Sequence, residues 1–318
     1  MKTEQNNRLV LGTAQLGMEY GLANRLGKPN LKNSQEIVED AWRLGVREFD
    51  TAQAYGESES VLGKILNRLN IVATAKVITK PNPIVNHLDK AAMKSALKQS
   101  LSRLCIPSIY CYMIHREEYL DLWDKGLGNI LRYFVENGFV EHIGISVYNP
   151  ERALQALIVE GIDFVQLPTN VLDHRFEKLD IFTLAQDLGK KVYVRSIFLQ
   201  GILLMEEEAI PPHMAFAQPV LNKLRKIAGS FSLSCLELAL GYVKNALPDT
   251  QIIVGVESAD QIRENMIAWQ KKISSKAVEN VRNMFNEVDD NILDPSMWLA
   301  GLNQKKNGAM DLNQDDNS

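Results

Sequence analysis

The sequence holds little cysteine: only Cys105, Cys111 and Cys235 among 318 residues, odd in number and scattered. Such a set builds neither a disulfide framework nor a CxxC metal site. It reads as reduced core thiols of a cytoplasmic protein. The five histidines fall into no HExxH or comparable ligand spacing, so no metal is expected. No stretch approaches the roughly 18 apolar residues of a membrane-spanning helix. The polar opening Met1 to Asn7 leads into no apolar segment of a secretory signal. A formal net charge of −4 gives no reason to expect a nucleic acid or an anionic membrane as partner. A glycine-rich dinucleotide fingerprint is also missing, since Gly12-Thr13-Ala14-Gln15 after the first apolar run does not fit GxGxxG.

What the chain does have is a core-forming composition, 46% hydrophobic and 23% charged, and a regular alternation. Short apolar runs predict eight strands: 9–13, 48–51, 77–80, 109–114, 142–146, 164–167, 192–196 and 252–255. Helical spacing predicts helices over 34–44, 57–69, 89–104, 129–137, 150–160, 178–188 and 259–271. Ser34 is the expected cap of the first. Two further helices, 216–228 and 233–244, precede the last strand, with Ser232 or Ser234 as the cap of the second. Strand–helix alternation implies parallel strands joined by right-handed crossovers. A doubly wound open sheet and a closed barrel both satisfy it. Eight units without a Pro/Gly/Ser-rich linker favour a (β/α)8 TIM barrel of class α/β, with extra helices before strand eight and at the C-terminus. Residues 1–302 are expected to form one domain and the polar stretch 303–318 a flexible tail.

In such a barrel, chemistry sits where strands end and loops begin. Strand two ends in Phe49-Asp50-Thr51, and Tyr55 follows five residues after Asp50 in a loop containing Gly56. Strand three reads VITK to Lys80, and strand four ends Met113-Ile114-His115-Arg116.

The run DTAQAYGESESVLG resembles the hallmark of the aldo-keto reductase family. VITK, MIHR, HIGISVY, VQLPTN and IVGVESADQIREN follow in the family's order over roughly residues 8–270. LGTAQLGMEYG and RSIFLQGILL are most similar to a bacterial branch often associated with surface-polysaccharide genes. The resemblance implies reduction of an aldehyde or ketone, with hydride from NADPH, which the resemblance favours, or from NADH, which Glu257 leaves open, by a protein for which a monomer is plausible. Tyr55 is then the general acid, Asp50 and Lys80 its tuning pair and His115 the group that orients the carbonyl. The chemistry is reasonable: a free phenol near pKa 10 holds its proton tightly, and a neighbouring ammonium stabilises the phenolate and lowers that value. Lys76 points the same way as Lys80 but lies at the opposite end of the strand, which favours Lys80.

The resemblance also places a cofactor along Gly12, Thr13, Ala14, Ser146, Gln166, Arg195, Ser196, Phe198, Gly201, Gly255, Glu257, Gln261, Glu264 and Asn265, with Asn170 near the nicotinamide. Three residues depart from the commoner pattern. Val147 stands where many relatives carry Asn. Arg195 stands where an aromatic residue stacks on nicotinamide; its guanidinium can stack in the same way, or face the substrate or a phosphate. Glu257 stands where basic or hydroxyl groups meet a ribose 2′-phosphate, and a carboxylate there suits the free hydroxyl of NADH. Tyr20 and Arg116 are candidate substrate contacts; Trp123 and Phe198 are weaker ones. Two rival readings are a non-catalytic nicotinamide-binding barrel and an aldolase using Lys80 as a Schiff-base nucleophile.

Overall fold

The computed structural model describes residues 7–298; the expected tail, 303–318, lies outside them. Eight parallel strands close into a barrel in sequence order: β1 Leu9–Gly12, β2 Glu48–Asp50, β3 Lys76–Thr79, β4 Ile109–Ile114, β5 Val140–Ser146, β6 Phe164–Pro168, β7 Lys191–Arg195 and β8 Gln251–Gly255. Closure between β1 and β8 pairs Leu9 with Ile252 and Gly12 with Gly255. The open-sheet alternative is thereby excluded.

Alternation along the strands sorts the side chains. Leu9, Leu11, Phe49, Val77, Ile145, Val165 and Val194 face outward into the large core beneath the helices. Val10, Ile78, Cys111, Met113, Phe164, Tyr193 and Ile253 fill the barrel itself. Between most strands lie helices that bury an apolar stripe on the barrel. They include Leu31–Arg43, Ser58–Arg68, Lys90–Leu104, Gly128–Glu136, Pro150–Ile158, Ile181–Asp187 and Ala259–Gln270. Ahead of β8 stand Gln218–Ser230 and Cys235–Ala246; after it come Ser275–Met284 and Asp290–Leu293. Among the described residues no helix is long and apolar enough to cross a membrane.

Two local expectations need correction. The first helix begins earlier than Ser34: Asn30 is its cap, accepting from the Asn33 N–H, and Ser34 is buried in the helix. Asn30 caps through its carboxamide oxygen in the way a serine hydroxyl would, and the apolar period alone gave no reason to extend the helix back through polar Lys32 and Asn33. The cysteines are not all core thiols. Cys111 is buried, Cys235 half-buried and Cys105 exposed. Cys105 closes the helix Lys90–Leu104 in the left-handed conformation, a surface position. Ser234 does cap Cys235–Ala246, in a reciprocal capping box with Glu237.

The N-terminal end of the barrel is plugged by a polar layer. Glu48 accepts a 2.7 Å hydrogen bond from the Tyr193 hydroxyl. Lys76 and Lys191 each stand 3.9 Å from the same carboxylate, and both lie against the Tyr110 ring. Tyr193→Phe removes a buried donor from a carboxylate, so a loss of about 1–3 kcal/mol of stability is expected. Denaturant unfolding measures it, and an unchanged midpoint would show that the lysines alone suffice.

Candidate active site

The opposite end of the barrel is organised by Asp50, the last residue of β2. Its Oδ1 accepts 2.6 Å from Lys80 Nζ and 2.8 Å from the Gln166 side-chain amide. Lys80 also donates to the Thr51 carbonyl at 3.2 Å. All three side chains are buried, Lys80 with only 1% of its surface exposed. A charged pair in such a place is tolerable only because each partner is otherwise hydrogen-bonded. Lys76, by contrast, sits at the plugged end of the barrel.

Tyr55 is held by the loop after β2, and that loop is built on hydroxyls. Ser58 receives 2.9 Å from Thr51 Oγ1, lies 2.8 Å from Thr13 Oγ1 and donates to the Thr13 carbonyl at 2.7 Å. Gly17 is needed for the close approach of the first loop: a Cβ there would fall 1.9 Å from the Tyr55 carbonyl oxygen. Gln53 ties the other side of the loop to the Ala96 carbonyl and the Asn82 N–H. Glu59 is buried, accepting from Thr79 at 2.7 Å.

The Tyr55 ring meets His115 edge-on at 5.8 Å between centroids, and Lys80 Nζ lies 5.5 Å from the Tyr55 centroid. The expected lowering of the phenol by Lys80 is not what this arrangement produces. Burial, reinforced by the Asp50 charge, pushes the phenol well above its ordinary value, while Arg195 pulls against it. The ammonium is committed to Asp50. Tyr55 therefore keeps its proton. His115 is pushed down to about 3 by burial and by Lys80, Arg195 and Arg116, so it is a neutral imidazole at ordinary pH. Its Nδ1 is buried without a protein partner.

From Tyr55 a cleft of about 320 Å³ runs over the ends of β1, β7 and β8. Of the expected residues it is lined by Gly12, Ala14, Tyr20, Arg195, Ser196, Phe198, Gly201, Gly255, Glu257, Gln261, Glu264 and Asn265. Its roof is a contact between loops: the Ala23 N–H donates to the Gln200 carbonyl at 3.2 Å. The loop after β7 carries a run of left-handed residues, Ser196, Leu199, Gln200 and Gly201. Three of these are not glycine, each costing about 1 kcal/mol or more, a strain that recurs at ligand clamps. Arg195 Cζ lies over the Tyr148 ring, 3.9 Å from its centroid.

Other expected residues are used elsewhere. Thr13 is fully buried, its hydroxyl donating to the Asp50 carbonyl. Ser146 and Gln166, paired across β5 and β6, are buried and do not line the cleft, and Gln166 bonds Asp50 instead. Asn170 is spent on the loop after β6, bonding the Ser196 carbonyl and the Leu172 N–H. Arg116 is exposed and pairs with Glu118 at 3.4 Å. Trp123 is buried core. Sequence reasoning missed Gln15 and Gln200 in the cleft and Tyr148 beside it. Tyr148 was within reach, because the alternation that aims Ser146 inward and Val147 outward also returns Tyr148 to the mouth.

Ser58 is the hub on which three buried hydroxyl contacts converge, so Ser58→Ala is expected to cost about 1–3 kcal/mol by stranding its partners. A thermal or denaturant melt checks this; a neutral result would mean that the Tyr55 loop is held by its backbone alone.

The comparisons with known proteins agree with this architecture. A model of the aldo/keto reductase family matches residues 8–285. An uncharacterised oxidoreductase of Mycobacterium tuberculosis is 28% identical over 86% of this chain and 87% of its own. The L-glyceraldehyde 3-phosphate reductase of Escherichia coli strain K12 is 24% identical over 79% of this chain and 83% of its own. Among solved structures, the holo form of an aldo-keto reductase from Bacillus halodurans superposes with a TM-score of 0.74 at 22% identity, covering 90% of this chain and 95% of that one. The glycerol dehydrogenase of Gluconobacter oxydans gives 0.69 at 20% identity, covering 89% and 94%. A closed eight-stranded barrel and a family match across nearly all the described residues lead to one conclusion: this oxidoreductase belongs to the aldo/keto reductase family.

Proposed function

We propose that the protein reduces the carbonyl of a small aldehyde or ketone using a reduced nicotinamide dinucleotide, with Tyr55 as general acid. The observation that carries this reading is the packing of Lys80 and His115 against Tyr55, which itself lines the head of the long cleft, while Asp50, Lys80 and His115 stand behind it outside the lining. The cleft suits an extended dinucleotide. Its floor at the closure of the barrel is Gly12 beside Gly255, and the Gln15 amide packs close over Gly255, where a Cβ would come within 2.6 Å of it. When bound, the cofactor supplies the hydride that adds to the carbonyl carbon.

The chain's residues supply the rest. As negative charge develops on the carbonyl oxygen, the neutral phenol of Tyr55 gives it a proton. The phenolate left behind lies in the field of Arg195, with the Asp50-bound Lys80 ammonium 5.5 Å from the ring centroid. Neutral His115 lies edge-on to Tyr55 and is placed to hold the carbonyl oxygen by hydrogen bonding and fix its orientation. Asp50 holds Lys80 in place and balances its charge. The same pair weakens the aldolase reading: a buried ammonium bonded at 2.6 Å to a carboxylate is a poor Schiff-base nucleophile. Tyr55→Phe is expected to lower kcat for aldehyde reduction by about 100-fold or more, the usual scale of a lost general acid. Cofactor binding, followed by fluorescence, should survive. Full activity in this variant would overturn the mechanism.

Glu257 carries the reading of cofactor choice. It lines the far part of the cleft and is raised by burial, with the nearby Arg25 backbone amide pulling the other way. Glu264 lines the same region. Two carboxylates there disfavour a 2′-phosphate and suit a free ribose hydroxyl. Titration with both cofactors should show NADH binding within about tenfold of NADPH or tighter, a gap under 1.4 kcal/mol. A hundredfold preference for NADPH would contradict it.

A further inference from the structure

Arg195 ends β7 and is half-buried, and it is the one cation among the residues lining the cleft. It joins no ion pair among the described residues. Its hydrogen bonds are few and long: 3.4 Å to Ser196 Oγ and 3.5 Å to the Val147 carbonyl. The guanidinium nevertheless has a packing partner, its Cζ lying 3.9 Å over the centroid of the half-exposed Tyr148 ring. A half-desolvated guanidinium lacking a carboxylate leaves most of its donors free. The contrast with the other charged groups near the site is sharp. Lys80 is matched by Asp50, and Arg116 by Glu118.

The charge acts at the reacting end of the cleft. It is felt by Tyr55, by Tyr20 and by His115, and in each case it opposes or adds to burial as a nearby cation must. The acidic residues lie toward the other part of the cleft, around Glu257 and Glu264. An anion is therefore favoured beside Tyr55 and disfavoured at the far end.

We infer that the substrate is a carbonyl compound bearing its own anionic group, a carboxylate or a phosphate, and that Arg195 binds this group and sets specificity. This rests on the reading of the site as a carbonyl reductase and adds the substrate's class. A planar fork of donors suits both anions, since each offers two oxygens at matching spacing. Tyr148 packs against the fork, so less side-chain freedom is lost on binding.

The test compares matched substrates. Succinic semialdehyde is set against butanal, and glyceraldehyde 3-phosphate against glyceraldehyde, in the wild-type protein, Arg195→Gln and Arg195→Lys. One charged hydrogen-bonded contact corresponds to about 10- to 100-fold in kcat/KM. The expected result is an anionic-to-neutral ratio of that size in at least one pair. That ratio collapses toward one in Arg195→Gln and is partly kept in Arg195→Lys. The pair that shows it identifies the anion. Ratios near one in the wild type, or a large ratio unchanged in Arg195→Gln, overturn the inference. So does a loss of NADH affinity in Arg195→Gln with unchanged ratios, which would assign the charge to the cofactor. Thermal shift with glutarate and with inorganic phosphate gives a second readout that needs no turnover. At least one should stabilise the wild type and not Arg195→Gln. If such binding is seen but no carbonyl is reduced, the anion site stands and the reductase reading falls. If carbonyls are reduced without charge preference and neither anion binds, the reverse holds.

Discussion

The mouth of the barrel depends on one buried ion pair, Asp50 with Lys80, closed by the Gln166 amide. Taking both charges out of water costs several kcal/mol per ion, and only good geometry with full hydrogen bonding recovers it. That demand fixes three strands at once. β2 supplies the acid, the end of β3 the base and β6 the amide. Once they are in place, the Thr51 carbonyl is occupied by Lys80 and the loop leaving β2 has little freedom. Tyr55 is thus positioned by an electrostatic constraint beneath it and by the hydroxyl cluster of Thr13, Thr51 and Ser58 beside it.

The segment from Asp50 to Gly63 shows how chemistry and scaffold share a motif. Asp50 and Tyr55 face the proposed reaction. Gln53, Ser58 and Glu59 face inward and bind the loop to its surroundings, Gln53 to the helix Lys90–Leu104 and Glu59 to Thr79. Glu59 is buried yet not orphaned, because Thr79 and Arg103 answer both its oxygens. A polar sequence over these residues looks like a solvated loop. It is polar because a tight loop must satisfy its own backbone and its neighbours without water.

This explains what was legible in advance. Short apolar runs named every strand of the barrel, because burial on a closed sheet leaves few alternatives for such a run. The choice of Lys80 over Lys76 followed from polarity along one strand. Thr13 and Asn170 were less readable. Their side chains could serve a ligand or the fold, and only the third dimension shows their bonds going to Asp50 and to Ser196. The phenol of Tyr55 was misjudged for a similar reason. A lysine nearby predicts a lowered value, but Lys80 is already spent on Asp50, so burial decides. Pairwise proximity was foreseeable; which partner claims a charge was not.

The departures from the family pattern make physical sense as a set. Where others of the family carry an asparagine, Val147 offers no side-chain donor, and its carbonyl faces Arg195. Arg195 in turn extends over Tyr148, which anchors it without neutralising it. A neutral aromatic at position 195 would present only a surface for stacking. A guanidinium there brings a field. His115 is kept neutral mainly by burial, and Lys80 and then the guanidinium add to that. The Asp50–Lys80 pair is already self-compensated and cannot answer the charge. Glu257 and Glu264 lie along another part of the cleft. The positive charge at the mouth is therefore left for whatever enters, and a ligand that brings its own anion meets a guanidinium without a carboxylate partner.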